Sequence, residues 1–290
     1  MIISPLAALI TSISSVSWGV FDGFRKHLIE KLNHWTLLFY LSSFFSICFL
    51  AWILINQSFV FDHKYWVYGL TTVILNFLAN YFYIKGIEIS EISSSVPFLA
   101  FTSLFTALSS FLILGETLNL IQVFGILIIV LSSFFINYKS GLGIKKIFQA
   151  NKGALLMIVV SLLWAISAPF DKIAVSHSNV ATHSFLQSFF ISIINLFMVL
   201  KFARQRIISD LFILPRSLFA GSIIAATALG LQFYAYTLMP VSIFESSKRA
   251  LAIITAFLVS AVFFKEKISK IKIIATLTLI LGVFLVINMN

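Results

Sequence analysis

The sequence carries the same segment twice, about half a chain apart. The motif at residues 18–26 returns at residues 164–172, and a second echo relates residues 114–119 to residues 264–269. Three residue types keep their spacing in both copies of the first motif: Trp18, Phe24 and Lys26 recur as Trp164, Phe170 and Lys172. A repeat on this scale predicts a chain built from two homologous halves of the same fold.

The composition places this fold in a membrane. Of the 290 residues, 60% are hydrophobic and only 10% are charged, and 32 are Phe. A soluble domain of this size needs far more charge to cover its surface. The length suffices for about ten spans of roughly 20 residues each.

Ten apolar runs separated by polar or charged clusters are read as spans. We expect them at about 4–23, 35–55, 65–84, 92–114, 119–138, 153–171, 182–200, 216–237, 241–263 and 271–288. No Lys or Arg precedes the first run, and it ends in the repeated motif, so we expect span one of the mature protein and not a signal peptide.

Five spans per half require the halves to be inserted in opposite orientations. The predicted fold class is therefore an all-α membrane protein of ten transmembrane helices in two inverted five-helix repeats. The first repeat is assigned to residues 1–138, the linker to 139–152 and the second repeat to 153–290.

The distribution of basic residues predicts the orientation. The net charge of +10 does not indicate nucleic-acid binding, because the basic residues are spread over many loops. Sixteen of the 20 Lys and Arg residues fall on one predicted side, and only Lys64 and Lys172 on the other. The positive-inside tendency then places both termini on the non-cytoplasmic side.

The sequence lacks enzymatic and metal-binding motifs. Cys48 is the single cysteine, so a disulfide or thiol pair is excluded, and the sequence has no phosphate loop, nucleophile motif or HExxH. We interpret the histidines as scattered near loops, with no metal site: His27, His34, His63, His177 and His183. The chain is predicted not to be an enzyme and to need no cofactor.

The repeated Trp-to-Lys motif, Gly115-Glu116 with its degenerate partner Lys265-Glu266, and the stretch 94–116 resemble the EamA-like branch of the drug/metabolite transporter superfamily. The chain departs from that pattern at Ser103, where Pro is common, and in the lost Gly before Glu266. The resemblance implies a ten-helix bundle in the bacterial inner membrane that works by alternating access. It also implies a central cavity formed mainly by spans one, three, four, six, eight and nine.

Two adjacent cations inside span nine are the strongest candidates for substrate binding. Charged groups in the bilayer are costly, so Lys248 and Arg249 require a reason. The pair resembles the Lys-Arg pair of plastid sugar-phosphate translocators, where it binds the substrate's phosphate. Two alternatives remain open: a structural salt-bridge network with Glu245, at spacings of three and four residues, or snorkelling to the interface.

Further polar residues share helix faces that could line the same cavity. They are Asn76, Asn80 and Tyr83 in span three, Gln232 and Tyr236 in span eight, and the repeated Trp18 and Trp164. Interhelical hydrogen bonding is the alternative for the amides and tyrosines, and anchoring at the membrane interface is the alternative for the tryptophans.

Several charged residues fall at predicted span ends. Asp22 and Lys26, at a spacing of four, are interpreted as an interfacial ion pair, with proton coupling as the alternative, and Asp171 and Lys172 end span six. Glu116 and Glu266 are expected to cap the helices that follow them or to bridge loop cations.

These features predict a secondary transporter of small organic metabolites that carry a carboxylate or phosphate. The expected partners are a small-molecule substrate and membrane lipid, without nucleic acid, and a homodimer is left open. The alternatives are a flippase of lipid-linked substrates, or an exporter of neutral or cationic amino acids or drugs.

Overall fold

The structure, a computed structural model, describes residues 4–90, 95–136, 152–263 and 270–288. This part of the chain contains eleven α-helices and no strand. The helices are α1 (Pro5–Ile29), α2 (His34–Asn56), α3 (Tyr65–Ile89), α4 (Phe101–Leu114), α5 (Leu120–Ile136), α6 (Lys152–Ser176), α7 (Val180–Phe202), α8 (Arg206–Leu211), α9 (Pro215–Leu238), α10 (Val241–Phe263) and α11 (Lys270–Asn288). A 3₁₀ helix at Val96–Ala100 leads into α4, with Pro97 in its first turn.

Short polar side chains start several of these helices. The Ser4 hydroxyl accepts a hydrogen bond from the N–H of Ala7, and Pro5 occupies the first turn of α1. The side chains of Asn33 and Asn179 cap α2 and α7 in the same way. These caps satisfy N–H groups that have no partner within the helix, so local sequence sets where the helices begin.

Three helices continue beyond the span ends that the sequence predicts: α3 ends at Ile89 and not near residue 84, and α1 and α6 behave in the same way. Span one was expected to end at residue 23 and span six at residue 171, because charged residues follow. The helices reach Ile29 and Ser176 instead. Charged residues do not mark the ends of these helices, because Arg25 and Asp171 are buried inside the bundle; where the membrane spans end stays a prediction. The predicted linker 139–152 lies outside the described residues, except for Lys152, which begins α6.

A proline inside α6 is compensated by a neighbouring helix. Pro169 cannot donate the helical hydrogen bond to the carbonyl of Ala165. That carbonyl instead accepts a hydrogen bond of 2.5 Å from the Ser109 hydroxyl of α4. In an apolar surrounding a backbone carbonyl needs such a substitute, so α4 stabilises α6 close to Asp171.

The two halves pack as one bundle with approximate two-fold symmetry. The contact of α3 with α6 is mirrored by that of α1 with α9, and the contact of α4 with α6 is mirrored by that of α1 with α10. The equivalent helices α2 and α7 pair with each other, as do α5 and α11. This pattern is what two copies of one five-helix unit produce when they pack face to face.

The pairing of α5 with α11 depends on two glycines. A Cβ atom on Gly125 would lie 2.9 Å from the carbonyl oxygen of Gly282, and one on Gly282 would lie 3.0 Å from that of Gly125. Close backbone contact of this kind is how helices associate in lipid, where apolar burial supplies no driving force.

The outer surface of the bundle is apolar. Large side chains such as Ile55, Leu112 and Phe284 are exposed, and six helices of the described chain are long and apolar enough to cross a membrane: α1, α2, α3, α6, α7 and α9. Shorter apolar segments lie in α4, α5 and α11. The protein is therefore an integral multi-pass membrane protein. For the other helices, membrane crossing stays a prediction.

Candidate functional site

A central cavity of about 120 Å³ lies between α1, α2, α3, α6, α7, α9 and α10. Eight of the nine predicted binding residues line it: Trp18, Asn76, Asn80, Trp164, Gln232, Tyr236, Lys248 and Arg249. The ninth, Tyr83, is fully buried behind the lining. The resemblance implied that span four contributes to the wall, but α4 supplies no lining residue. It packs behind α6 and α10, and α2 and α7 take part instead.

A closed hydrogen-bond network holds Lys248. Its ammonium forms an ion pair with Glu245 one turn earlier in α10 and donates to Gln232 Oε1 of α9 at 3.1 Å. The same Gln232 oxygen accepts from Trp18 Nε1 at 2.9 Å, while Gln232 Nε2 donates to the Tyr236 hydroxyl at 2.9 Å. Tyr236 in turn donates to Glu245 Oε1 at 2.7 Å. Lys248 is therefore neutralised within the protein.

Arg249 is held differently. Its guanidinium lies over the Trp164 ring, 5.3 Å from the ring centroid, and it forms no ion pair with any carboxylate of the described residues. Its side chain is buried, with 7% of the residue exposed, and Nε has no hydrogen-bond partner among the residues that the structure describes. The predicted alternative, a salt-bridge network of Glu245 with both cations, is therefore not formed among the described residues. Glu245 forms an ion pair with Lys248 but not with Arg249. Arg249 therefore lies in the cavity wall without a direct counter-ion among the described residues.

The interfacial ion pair predicted for Asp22 and Lys26 is not formed. Asp22 Oδ1 lies 3.5 Å from Arg25 and accepts a hydrogen bond of 2.8 Å from the Tyr83 hydroxyl. The Arg25 guanidinium also stacks on the Tyr83 ring at 4.7 Å. Lys26 points the other way and donates to a backbone carbonyl of α3 at 3.2 Å. Asp22 and Arg25 line the cavity, whereas Tyr83 positions the carboxylate from behind.

A third buried acid of the cavity wall lies on α6. Asp171 of α6 accepts hydrogen bonds from His183 Nε2 at 3.1 Å, Gln187 Nε2 at 2.7 Å and Ser167 Oγ at 3.1 Å. His183 Nδ1 lies 3.2 Å from the Tyr65 hydroxyl of α3. His183 lies near a loop, in the first turn of α7, as the sequence indicated, but its side chain is fully buried within a polar cluster, which the sequence did not show.

Both asparagines of α3 line the cavity, and one of them also makes the interhelical hydrogen bond that the sequence left open. Asn76 lines the cavity, yet its amide donates to the Thr72 carbonyl at 3.0 Å and to Ser167 Oγ of α6 at 2.7 Å. Asn80 lines the cavity one turn later and donates to the Asn76 carbonyl at 2.8 Å. Asn76 therefore also joins two helices, while Asn80 bonds only along its own.

The cavity wall carries equal numbers of acidic and basic side chains. The acids are Asp22, Asp171 and Glu245, and the bases are Arg25, Lys248 and Arg249. Four of these six residues form two ion pairs, each within one helix: Asp22 with Arg25 in α1, and Glu245 with Lys248 in α10. The remaining two, Asp171 and Arg249, form no ion pair with each other.

Sequence reasoning missed several residues of this wall. They are Asp22, Arg25, Asp171, Gln187 and Asn195, together with His183 behind it. One signal was present in the repeat itself. Arg25 and Asp171 each follow the repeated Trp by seven residues, or about two helical turns, so they share the face of Trp18 and Trp164.

Glu116 caps a helix, although not the one that follows it. Gly115 ends α4 in the left-handed conformation at φ 66°, which favours glycine, and the turn directs Glu116 towards α10. There the carboxylate accepts from the N–H of Val241 at 3.0 Å and from the hydroxyl of Ser242 at 3.2 Å. It also pairs with Lys172 at 2.9 Å. Its repeat partner, Glu266, lies outside the described residues.

No group of three or more His, Cys, Asp or Glu residues that could hold a metal ion occurs in the described chain.

At the surface, His177 lies 2.9 Å from Asp62. This hydrogen bond lowers the pKa of the Asp62 carboxyl, and the backbone N–H of Lys64 adds to the effect.

Comparison with known proteins agrees with this architecture. The model of the EamA-like transporter family matches the chain twice, over residues 5–138 and 151–288. The chain therefore belongs to the EamA-like transporter family and is a membrane transporter of two-repeat layout. No curated protein matches it in sequence. One solved crystal structure, whose description says only that it is of a protein, has a similar fold, with a TM-score of 0.73 and 14% sequence identity. The match covers 96% of this chain and 95% of the other chain.

Proposed function

We propose that this transporter is a secondary carrier of small organic metabolites that bear a carboxylate or phosphate, and that it works by alternating access. The observation that carries the proposal is Arg249, a buried cation on the cavity wall with an unpartnered Nε and no ion pair among the described residues. A buried charge without a counter-ion is costly, so a ligand that supplies the anion gains that free energy on binding.

The neighbouring groups favour an anion at Arg249. The negative charge of Glu245 is committed to Lys248, and the Asp171 carboxylate accepts three hydrogen bonds. Arginine presents a planar donor group that binds carboxylate or phosphate in a bidentate manner. The guanidinium lies over the Trp164 ring, and Arg249 is part of the cavity lining, so a ligand in the cavity would meet it. The substrate we infer is therefore held by Arg249 at its anionic group.

The architecture supports alternating access. Two five-helix repeats, 1–138 and 153–290, would cross the membrane in opposite orientations as ten spans, with both termini on the non-cytoplasmic side of a bacterial inner membrane. The cavity lies between helices of both halves, so a rocking motion of one half against the other would expose it to each side in turn.

The test is thermal stabilisation of the detergent-purified protein by a panel of organic phosphates, carboxylates, amino acids, nucleosides and cationic drugs. A ligand at 100 times its Kd adds about 2.7 kcal/mol to the free energy of unfolding. We expect an anion to raise the Tm of the wild type and not that of Arg249→Gln. Arg216→Gln is the matched control, because Arg216 is exposed at the start of α9.

The other outcomes are equally informative. Stabilisation of both variants by the same anion would refute the role of Arg249. Stabilisation only by neutral or cationic compounds would favour an exporter of such amino acids or drugs. Stabilisation only by lipid-linked compounds would favour a flippase.

A further inference from the structure

The chain contains a buried acid–histidine pair that the proposed anion site does not use. Asp171 Oδ1 and His183 Nε2 are 3.1 Å apart, and the residues are 3% and 0% exposed. His183 Nδ1 continues the contact to the Tyr65 hydroxyl at 3.2 Å. Ionisable groups at this depth in a membrane protein are rare and mark ion or proton pathways.

Of the three hydrogen-bonded side chains, Asp171, His183 and Tyr65, only Asp171 reaches the cavity. Asp171 is part of the cavity lining, whereas His183 and Tyr65 lie behind it. Tyr65 is the first residue of α3, and its N–H bonds to the carbonyl of Asp62, a residue of the exposed segment before that helix. The three side chains thus run from the cavity towards one end of the bundle.

We propose that Asp171 and His183 form a proton-binding site that opens onto the cavity and couples transport to the movement of a proton. The site can hold its hydrogen bonds in both protonation states. When the imidazole is neutral, Nε2–H donates to Asp171 and Nδ1 accepts from the Tyr65 hydroxyl. When it is protonated, both ring nitrogens donate and the Asp171 carboxylate supplies the countercharge.

Among the described residues, no second acid contacts the pair. Gln187 of α7 and Ser167 of α6 donate to Asp171, and the ring of Phe233 of α9 lies 4.7 Å from that of His183. Beyond these contacts, the charge of Asp171 acts electrostatically on Lys248 of α10, on Tyr236 of α9 and on Tyr65 of α3. The proton is exchanged with cavity water, through Asp171.

The coupling follows from the charges of the wall, and it rests on the proposed anion transport. With His183 neutral, the three acids and three bases of the wall cancel. Protonation of the pair leaves one excess positive charge, which favours an anion in the cavity. Because linkage is reciprocal, a bound anion favours the proton by the same free energy. Anion and proton would therefore cross the membrane together.

The first experiment measures the proton site without any substrate. In detergent-solubilised protein labelled with ¹⁵N-histidine, the His183 signals are assigned by their loss in His183→Gln. The protein is titrated from about pH 5 to about pH 9, and we expect the imidazole to change protonation state and this transition to move in Asp171→Asn. An imidazole that keeps one state across the range would overturn the proposal.

The second experiment measures coupling in proteoliposomes with the membrane potential clamped at zero. The probes are radiolabelled succinate and 3-phosphoglycerate. A gradient of one pH unit should concentrate a symported anion about tenfold at equilibrium. We expect this accumulation in the wild type and in His177→Gln, whose histidine pairs with an acid at the surface. His183→Gln should lose it while still exchanging internal for external anion.

Tenfold accumulation by His183→Gln would refute the coupling. Failure of the wild type to move either anion would count against the proposed function, and the imidazole titration would still decide whether the pair is a proton site.

Discussion

The ion pair between Glu245 and Lys248 should contribute far more to stability than another pair of the same spacing. Glu245→Gln keeps the size and an acceptor for Tyr236, but it leaves the Lys248 charge unpaired in a buried site. Removing one partner of a buried pair costs about 3–5 kcal/mol. The side chains of Glu245 and Lys248 are 1% and 10% exposed, so little water is available to compensate.

The protein supplies its own control for this prediction. Lys85 and Glu88 form an ion pair at 2.9 Å with the same three-residue spacing, but their side chains are 31% and 39% exposed. Exposed pairs contribute roughly 0.2–1 kcal/mol, so Glu88→Gln should change the free energy of unfolding by less than about 1 kcal/mol.

The assay is equilibrium unfolding in mixed detergent micelles, followed by tryptophan fluorescence. The double variant Glu245→Gln/Lys248→Gln should recover part of the loss, because no unpaired charge remains. Equal costs for Glu245→Gln and Glu88→Gln, or additive effects in the double variant, would refute the reasoning that burial makes this pair strong.

Two further predictions concern packing and pH. Gly282→Val places a side chain against the carbonyl of Gly125 and should cost about 1–3 kcal/mol in the same unfolding assay, whereas Leu281→Val on the exposed face should not. A loss no larger than that of the control would contradict the close helix contact. The pKa of Asp62 is lowered in the folded state, which means that folding favours its ionised form. The contribution of Asp62 to the stability of the fold is therefore present above the usual pKa of an Asp carboxyl, and it is lost as the pH falls through the folded pKa. The difference in Tm between wild type and Asp62→Asn should therefore disappear in acid, and a difference that persists at low pH would show that the hydrogen bond from His177 is not its cause.

The sequence alone was sufficient to predict an all-helical membrane protein of two repeats. Apolar runs of roughly 20 residues have few alternatives to membrane helices, because lipid offers no partner for an open backbone. The repeated Trp and Lys positions likewise predicted two homologous halves, and the two matches to the family model confirm the family. Eight of the nine proposed residues line the cavity, since polar side chains on one face of an apolar helix are driven towards the bundle interior.

The tertiary structure decided which charges pair. From spacing alone, Glu245 could bridge either Lys248 or Arg249, and Asp22 suited Lys26 at four residues. Adjacent helical positions point about 100° apart, so the neighbouring helix determines which of two candidates meets the acid. Gln232 of α9 holds Lys248 towards Glu245, whereas Arg249 turns to the Trp164 ring of α6.

The sequence likewise could not predict the buried acid–histidine pair. Asp171 and His183 lie on different helices, each next to a predicted span end, and their sequence environment is that of a loop. Only the packing of α6 against α7 and α3 brings the carboxylate, the imidazole and the Tyr65 hydroxyl together. Hydropathy records the free energy of each residue in lipid, but it holds no information on which partners satisfy a charge after the helices have associated. That is set by contacts between residues far apart in the sequence.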